Sequence, residues 1–377
     1  HAQVTFTEVV ATAYANGTFR TELAEQRLLG VNADRIDRIT NYLASIEGTQ
    51  VLVEDVDKAL DEIERVKPLY GWLANALASG LACAAFAFLN AGGWVECSVV
   101  AIAAFVGQFL RRQMLKRHMN HFGVWMVCGG VAASVYILCV YLAQKYMGIE
   151  TTHQAGFISA LLFLVPGFPL VTGIIDLVRH DFAGGIQRIV YVAMLVVSAG
   201  VAVWSISEAF NWSVTPEYVV SLPAYIHFPL RFFTSFAMLF NSPPKVCAAA
   251  ALIGAVINTG RIALAVELGM PVPAAVGLAA LCAGLLAAAV AAKTRYSRVT
   301  LSVPAVVIMI PGVPLYRSLT YLNNGQTLEA LEQLSTVLFT IVAIGIGLAI
   351  SRMLTDRAWL MESPTGVPRL EESMNEA

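Results

Sequence analysis

The sequence predicts an all-α polytopic membrane protein, with ten transmembrane helices forming two inverted five-helix repeats behind a small N-terminal cytoplasmic α/β region. Three observations carry that reading. The 377 residues are 57% hydrophobic and 13% charged, with a mean hydropathy of +0.67, whereas soluble domains carry about 25% charged residues. From residue 71 onward the chain holds ten apolar segments, each near the ~20 residues that cross a bilayer core. The fourth and ninth of these are interrupted by matching motifs, "VPGFPL" at 165–170 and "IPGVPL" at 310–315.

Taken in order, residues 1–69 read as the cytoplasmic region. Its first part is β-rich, and Asn16-Gly17 is a hairpin-turn signal. Asn32 then offers a helix N-cap, with Ile36, Ile39, Leu43 and Ile46 at helical spacing. A second helix is expected from about Val53 to Val66, its many acids forming a solvated face. The apolar segments cover 71–90, 94–110, 122–143, 155–178 and 185–207, then 222–241, 245–266, 270–292, 299–321 and 332–354. His227, Pro229 and Arg231 interrupt the sixth. The first five fall in a membrane repeat at 70–208, the second five in a repeat at 209–355, and 356–377 form a charged cytoplasmic tail.

Lys and Arg in short loops set orientation. Arg111, Arg112, Lys116 and Arg117 are read as the loop after segment two, Arg179 and Arg188 follow segment four, and Lys293, Arg295 and Arg298 follow segment eight. The opposing loops are nearly free of them, which puts both termini in the cytoplasm. A net charge of −2 argues against a nucleic-acid partner. The six cysteines lie in apolar stretches without a CxxC pair and read as packing residues. No cofactor and no metal site are expected. No HExxH, serine elbow or mid-membrane acid pair appears, so the chain does not read as an enzyme.

Pro166 and Pro311 are 145 residues apart and occupy equivalent segments of the two halves. Because five is odd, the second half inserts upside down, and inverted repeats with matched broken helices are a signature of secondary transporters. Each proline removes an amide donor and displaces the carbonyl four residues back. The carbonyls expected to be freed are those of Leu162, Val165, Val307 and Ile310. Such groups cannot face lipid, so Pro166, Gly167, Phe168 and Pro169, with Pro311, Gly312 and Pro314, are expected around a substrate site near the midplane. Helix-start amides there would favour a carboxylate and freed carbonyls an ammonium or hydroxyl, which suits a small zwitterion.

The stretches "GVNADRIDRI", "GWLANALASGLACAAFAFLNAGGWVE", "LLFLVPGFPLVTGIIDLVRHDFAGGIQRIV", "MLFNSPPKVCAAAALIGAVI" and "PAVVIMIPGVPLYRSLTYL" resemble the threonine/serine exporter family of bacterial inner-membrane transporters. The resemblance covers roughly residues 1–355 and implies export of L-threonine and L-serine driven by the proton-motive force. Relatives with separate halves are associated with dicarboxylate export. Family members usually carry more residues ahead of the hairpin, and this chain opens at His1, so a longer N-terminus is expected.

Further candidates are single polar residues. Asp176 lies ten residues past Pro166, roughly 15 Å along a helix; it matches the family's acid after PGxP and is a proton-coupling candidate, with Glu96 at the outer mouth as a second. Arg317 could hold a carboxylate. Gln108 and Asn258 are buried amides suited to a hydroxyl or amide contact. Arg179, Asp181 and Arg188 are candidates for an ion-paired gate. The expected partners are the amino-acid substrate, protons and the lipid bilayer, with the oligomeric state left open. The competing readings are a dicarboxylate exporter, which needs paired arginines at the site, and a membrane-anchored receptor or scaffold.

Overall fold

A computed structural model describes residues 2–15, 17–26, 30–90, 92–148, 155–212 and 236–360. Most of the sixth apolar segment, 222–241, and most of the tail, 356–377, lie outside the described residues. An antiparallel sheet opens the chain, in the order β1 (Ala2–Val4), β2 (Glu8–Ala15) and β3 (Thr18–Glu25). Ala15 pairs with Thr18 where β2 ends and β3 begins, and Asn16 of the expected hairpin turn lies outside the described residues. Helix α1 (Ala33–Ile46) follows, its N-cap Asn32 accepting from the Arg35 amide at 3.2 Å, and then α2 (Val53–Arg65).

The remainder is helical. It runs through α3 (Trp72–Leu89), α4 (Trp94–Lys116), α5 (His121–Met147), α6 (Ala155–Ser159), α7 (Gly167–Val178) and α8 (Phe182–Ala209), with a 3-10 turn at Leu162–Leu164 between α6 and α7. It continues as α9 (Pro244–Val266), α10 (Val272–Lys293), α11 (Arg298–Val307), α12 (Gly312–Asn323), α13 (Thr327–Thr355) and the short α14 (Arg357–Leu360). Among the described residues, seven helices are long and apolar enough to span a membrane, or nine if each bent pair is one span. The chain is therefore a mostly helical, polytopic membrane protein.

The two bent pairs are the broken segments. The chain turns by 64° between Gly156–Leu164 and α7, and by 50° between α11 and α12. Pro166 sits at φ −79, ψ 64 and Pro311 at φ −78, ψ 63, the geometry of an inverse γ-turn. Each turn is closed by a bond of 2.8 Å, from the Gly167 amide to the Val165 carbonyl and from the Gly312 amide to the Ile310 carbonyl. The two breaks also pack on each other reciprocally. A Cβ on Gly167 would lie 2.8 Å from Ile310 Cδ1, and one on Gly312 would lie 2.6 Å from Leu162 Cδ2, so a larger residue at either crossing would displace the side chain facing it. One buried cluster is built from α3 to α8 together with Tyr316 of α12 and another from α7 to α13, and Val165 and Val307, beside the breaks, pack against both.

The N-terminal helices dock on the membrane helices by polar contacts. The apolar positions that mark α1 in the sequence are not its docking face: Ile39 and Leu43 are 37% and 53% exposed, while Asp34 and Asp37 are buried. Asp37 Oδ1 accepts from the Ser297 amide at 2.8 Å and from Thr300 Oγ1 at 2.9 Å, which caps the start of α11. Asn41 Nδ2 donates to the Arg295 carbonyl at 2.7 Å. Asn241, ahead of α9, accepts from the Leu69 amide and donates to Asn32 Oδ1, both at 2.8 Å. Elsewhere the turn between β1 and β2 reaches α8, where the Phe6 amide donates to Gln187 Oε1 at 3.1 Å and the Phe6 ring packs on Tyr191.

Burial raises the Asp37 carboxyl above the ordinary range, against the lowering effect of its Ser297 and Thr300 hydrogen bonds. A raised acid binds its proton more tightly in the folded state, so its contribution is full below the unfolded value and is lost as pH rises through the folded one. Asp37→Asn is expected to flatten that pH dependence, whereas Asp37→Ala destabilises the docked N-terminal region by about 1–3 kcal/mol. Thermal unfolding of the purified chain at several pH values, read beside protease cleavage between α2 and α3, checks both outcomes.

Candidate substrate cavity

Asn120 caps α5, its side chain accepting from the Phe122 and Gly123 amides, and this sets Trp125 one turn inside the helix bundle. On α4, Gln108 and Arg111 are three residues apart and so share a helix face. Between these helices and the breaks lies a cavity of about 820 Å³. It opens on the face that carries the N-terminal region, since Phe6, Pro68, Tyr70 and Asn241 line it. A smaller cavity, about 280 Å³, lies toward the opposite face beside Trp212, Tyr316 and Asn323. Leu161 lines the smaller cavity and Leu162 the larger, so adjacent residues ahead of Pro166 face the two spaces.

The chemistry of the larger cavity is one-sided. Arg111, Arg112, Lys116 and Arg188 line it, with His118 and His121, and its lining holds no Asp or Glu among the described residues. All three arginines have partners. Arg112 donates to the carbonyls of Gly71 at 3.1 Å and Tyr70 at 2.9 Å, and Arg188 Nη1 donates to Asp176 Oδ2 at 2.6 Å. Arg111 lies over the Trp125 ring, 4.6 Å from its centroid, and its Nη1 donates to the Phe163 carbonyl at 2.5 Å. Trp125 Nε1 donates to the next carbonyl, Leu164, at 2.6 Å.

These bonds correct the expectation about which carbonyls the prolines free. Leu162 and Val165 are taken by the amides of Val165 and Gly167, and Val307 and Ile310 by those of Ile310 and Gly312. A chain that cannot continue its α-helical ladder closes shorter turns on itself. The carbonyls that instead need side chains are Phe163 and Leu164. The helix starts likewise offer few amides: Gly167 and Gly312 spend theirs in the γ-turns, and Pro169 and Pro314 have none.

Of the residues singled out in the sequence, Pro166, Phe168, Pro169, Gly312, Gln108 and Arg188 line the cavity. Gly167 is buried at the crossing of the breaks. Pro311, Pro314, Arg317, Asn258, Glu96, Asp176, Asp181 and Arg179 are not among its lining residues. Asn258 Oδ1 accepts from Arg261 Nε at 2.7 Å. Asp181 caps α8 by accepting from the Gly184 amide at 3.0 Å, and the Arg179 guanidinium lies 4.6 Å from the centre of the Trp359 ring. Glu96, 1% exposed, accepts from the Gly156 amide at 2.7 Å and from the Tyr136 hydroxyl at 3.2 Å. Arg111 and Arg112, read in the sequence as loop charges, stand within α4 on the cavity wall. The signal that could have found them is Gln108, a buried amide one turn earlier on the same helix face. No group of three or more metal-ligating side chains occurs among the described residues.

Residues 1–209 match the ThrE family model, a threonine/serine exporter family, and residues 229–354 match a second model described as "Threonine/Serine exporter, ThrE". Over 352 residues the chain is 23% identical to the threonine/serine exporter of Corynebacterium glutamicum, an alignment covering 87% of this chain and 68% of that protein. It is 26% identical over 197 residues to the probable succinate transporter subunit YjjP of Klebsiella aerogenes, covering 52% of this chain and 73% of the relative. The protein of the same description from Escherichia coli is 24% identical over 195 residues, covering 52% and 74%. No solved structure matches.

The Asp176–Arg188 pair can be weighed by a double-mutant cycle. Both side chains are partly enclosed, 22% and 28% exposed, so each single change, Asp176→Asn or Arg188→Gln, strands a partner. The double variant is expected to be less destabilised than the sum of the singles, with a coupling of about 1–3 kcal/mol. Unfolding midpoints of the four proteins in detergent check it.

Proposed function

This chain belongs to the threonine/serine exporter family, and from that premise we propose that it exports small hydroxy amino acids, L-threonine and L-serine, by proton-coupled alternating access. The face carrying the N-terminal region and the C-terminal tail is the cytoplasmic one, following the Lys/Arg distribution, and the membrane is the inner membrane of a bacterium. The membrane part comprises two inverted five-helix repeats at 70–208 and 209–355. Matching helix lengths support the repeat: α4 and α9 each have 23 residues, and α7 and α12 each have 12.

The observation that carries the reading is the reciprocal crossing of the two breaks, with identical γ-turns, between a large cavity and a small one. Substrate enters the 820 Å³ cavity from the cytoplasm and binds beside Pro166, Phe168, Pro169 and Gly312. Tilting of one repeat against the other about the crossing closes that cavity and enlarges the opposite one. Glu96, with Tyr136 and the start of α6 around its carboxyl group, carries the proton, and the Asp176–Arg188 pair acts at the cytoplasmic gate.

A second reading rests on the basic cavity wall. Arg111, Arg112, Lys116 and Arg188 without a lining carboxylate favour a small dicarboxylate such as succinate, and these are the paired arginines that such a cargo needs. Direct binding of L-threonine against succinate to the purified chain separates the two.

Proteoliposomes loaded with threonine are expected to release it faster when a pH gradient is imposed, and Glu96→Gln is expected to retain threonine exchange while losing the response to the gradient. A gradient response that survives Glu96→Gln removes Glu96 from the coupling role. Wild-type vesicles that move neither threonine nor serine overturn the export reading itself.

A further inference from the structure

Arg111 differs from the other arginines of the large cavity. A guanidinium has five donors in a rigid fork. Arg112 spends its donors on two backbone carbonyls and Arg188 faces a carboxylate, whereas Arg111 makes one hydrogen bond, to the Phe163 carbonyl, and rests on Trp125. No acidic side chain forms an ion pair with it among the described residues. One turn earlier, Gln108 is 95% enclosed and donates through Nε2 to Asn75 Oδ1 at 2.7 Å, which leaves its buried Oε1 without a partner. A donor fork and an orphaned acceptor thus lie on one face of α4, both lining the cavity beside the first break.

We infer that Arg111 is the carboxylate anchor of the transport site and that Gln108 Oε1 receives the substrate ammonium one helical turn away. This deepens the amino-acid reading above and rests on it. Charge-assisted bonds from a guanidinium are stronger than neutral ones, and a buried orphaned acceptor gains most from a charged donor. The site therefore selects a ligand bearing both groups on one carbon over a ligand with either alone. The second half carries the same pattern 150 residues on, Asn258 and Arg261 on α9. There Arg261 folds back onto Asn258 and lines neither cavity, as expected of the half whose side is closed.

The test is equilibrium binding to the full purified chain in detergent, using L-threonine, L-threoninamide, which lacks the carboxylate, and 3-hydroxybutyrate, which lacks the ammonium. Wild-type protein is expected to prefer threonine over each analogue by about ten- to a hundredfold. Arg111→Gln should lose that factor for threonine and 3-hydroxybutyrate while leaving threoninamide binding unchanged, and Arg111→Lys should fall between. Gln108→Leu should erase the preference over 3-hydroxybutyrate alone. Equal wild-type affinity for threonine and threoninamide overturns the anchor, and this comparison stands even if Arg111→Gln fails to fold. Retained discrimination in Arg111→Gln also overturns it. Wild-type protein that binds succinate and not threonine overturns the amino-acid reading beneath it.

Discussion

A peptide group inside a bilayer must find its hydrogen-bond partner within the protein, because hydrocarbon supplies none. That constraint governs the two broken segments, and much of the membrane part is arranged around meeting it. At each break the proline takes the γ-turn geometry and the following glycine returns its amide to the carbonyl two residues back. What the turns leave over in the first half is met by long side chains, Arg111 to Phe163 and Trp125 to Leu164. The glycines matter for a second reason: each lets the other break approach within contact distance. Two turns that satisfy themselves locally can be pressed together without stranding polar groups between them.

The same economy explains the polarity of the large cavity. Charged groups at membrane depth are costly and persist where they are paired or face water. Arg112 is held by carbonyls and Arg188 by Asp176, leaving a positive wall whose charge is not cancelled by lining acids. A positive, partly enclosed space raises the local concentration of anions and disfavours bare cations. The buried acid Glu96 sits outside that space, toward the opposite end of α4.

Composition and period made the class legible: apolar segments of spanning length, and Pro-Gly motifs 145 residues apart, which the bent pairs at 64° and 50° realise. The capping chemistry of Asn32 was equally readable, because an N-cap is a local event. What the sequence did not reveal depends on three-dimensional neighbours. A proline says that a carbonyl loses its α-helical partner; it does not say that a 3-10 bond or γ-turn will reclaim it, so Leu162 and Val165 looked free and Phe163 and Leu164 did not. Arg111 and Arg112 looked like orienting charges because hydropathy ends a span at the first cation, while the helix itself continues to Lys116. The docking of α1 through Asp34 and Asp37 rather than its apolar positions was hidden for the same reason, since its partners lie more than 200 residues away at Asn241, Ser297 and Thr300.

The N-terminal region touches the membrane helices at two separate places. Phe6 is fixed to Gln187 and Tyr191 on α8, and Asp37 is fixed to the start of α11, which leads into the second break. One pin is thus in the first half of the chain and the other in the second, with the mouth of the large cavity, where Phe6 also lies, between them. A change that weakens either contact therefore reaches both halves of the chain, because the same N-terminal segment holds one residue of each pin.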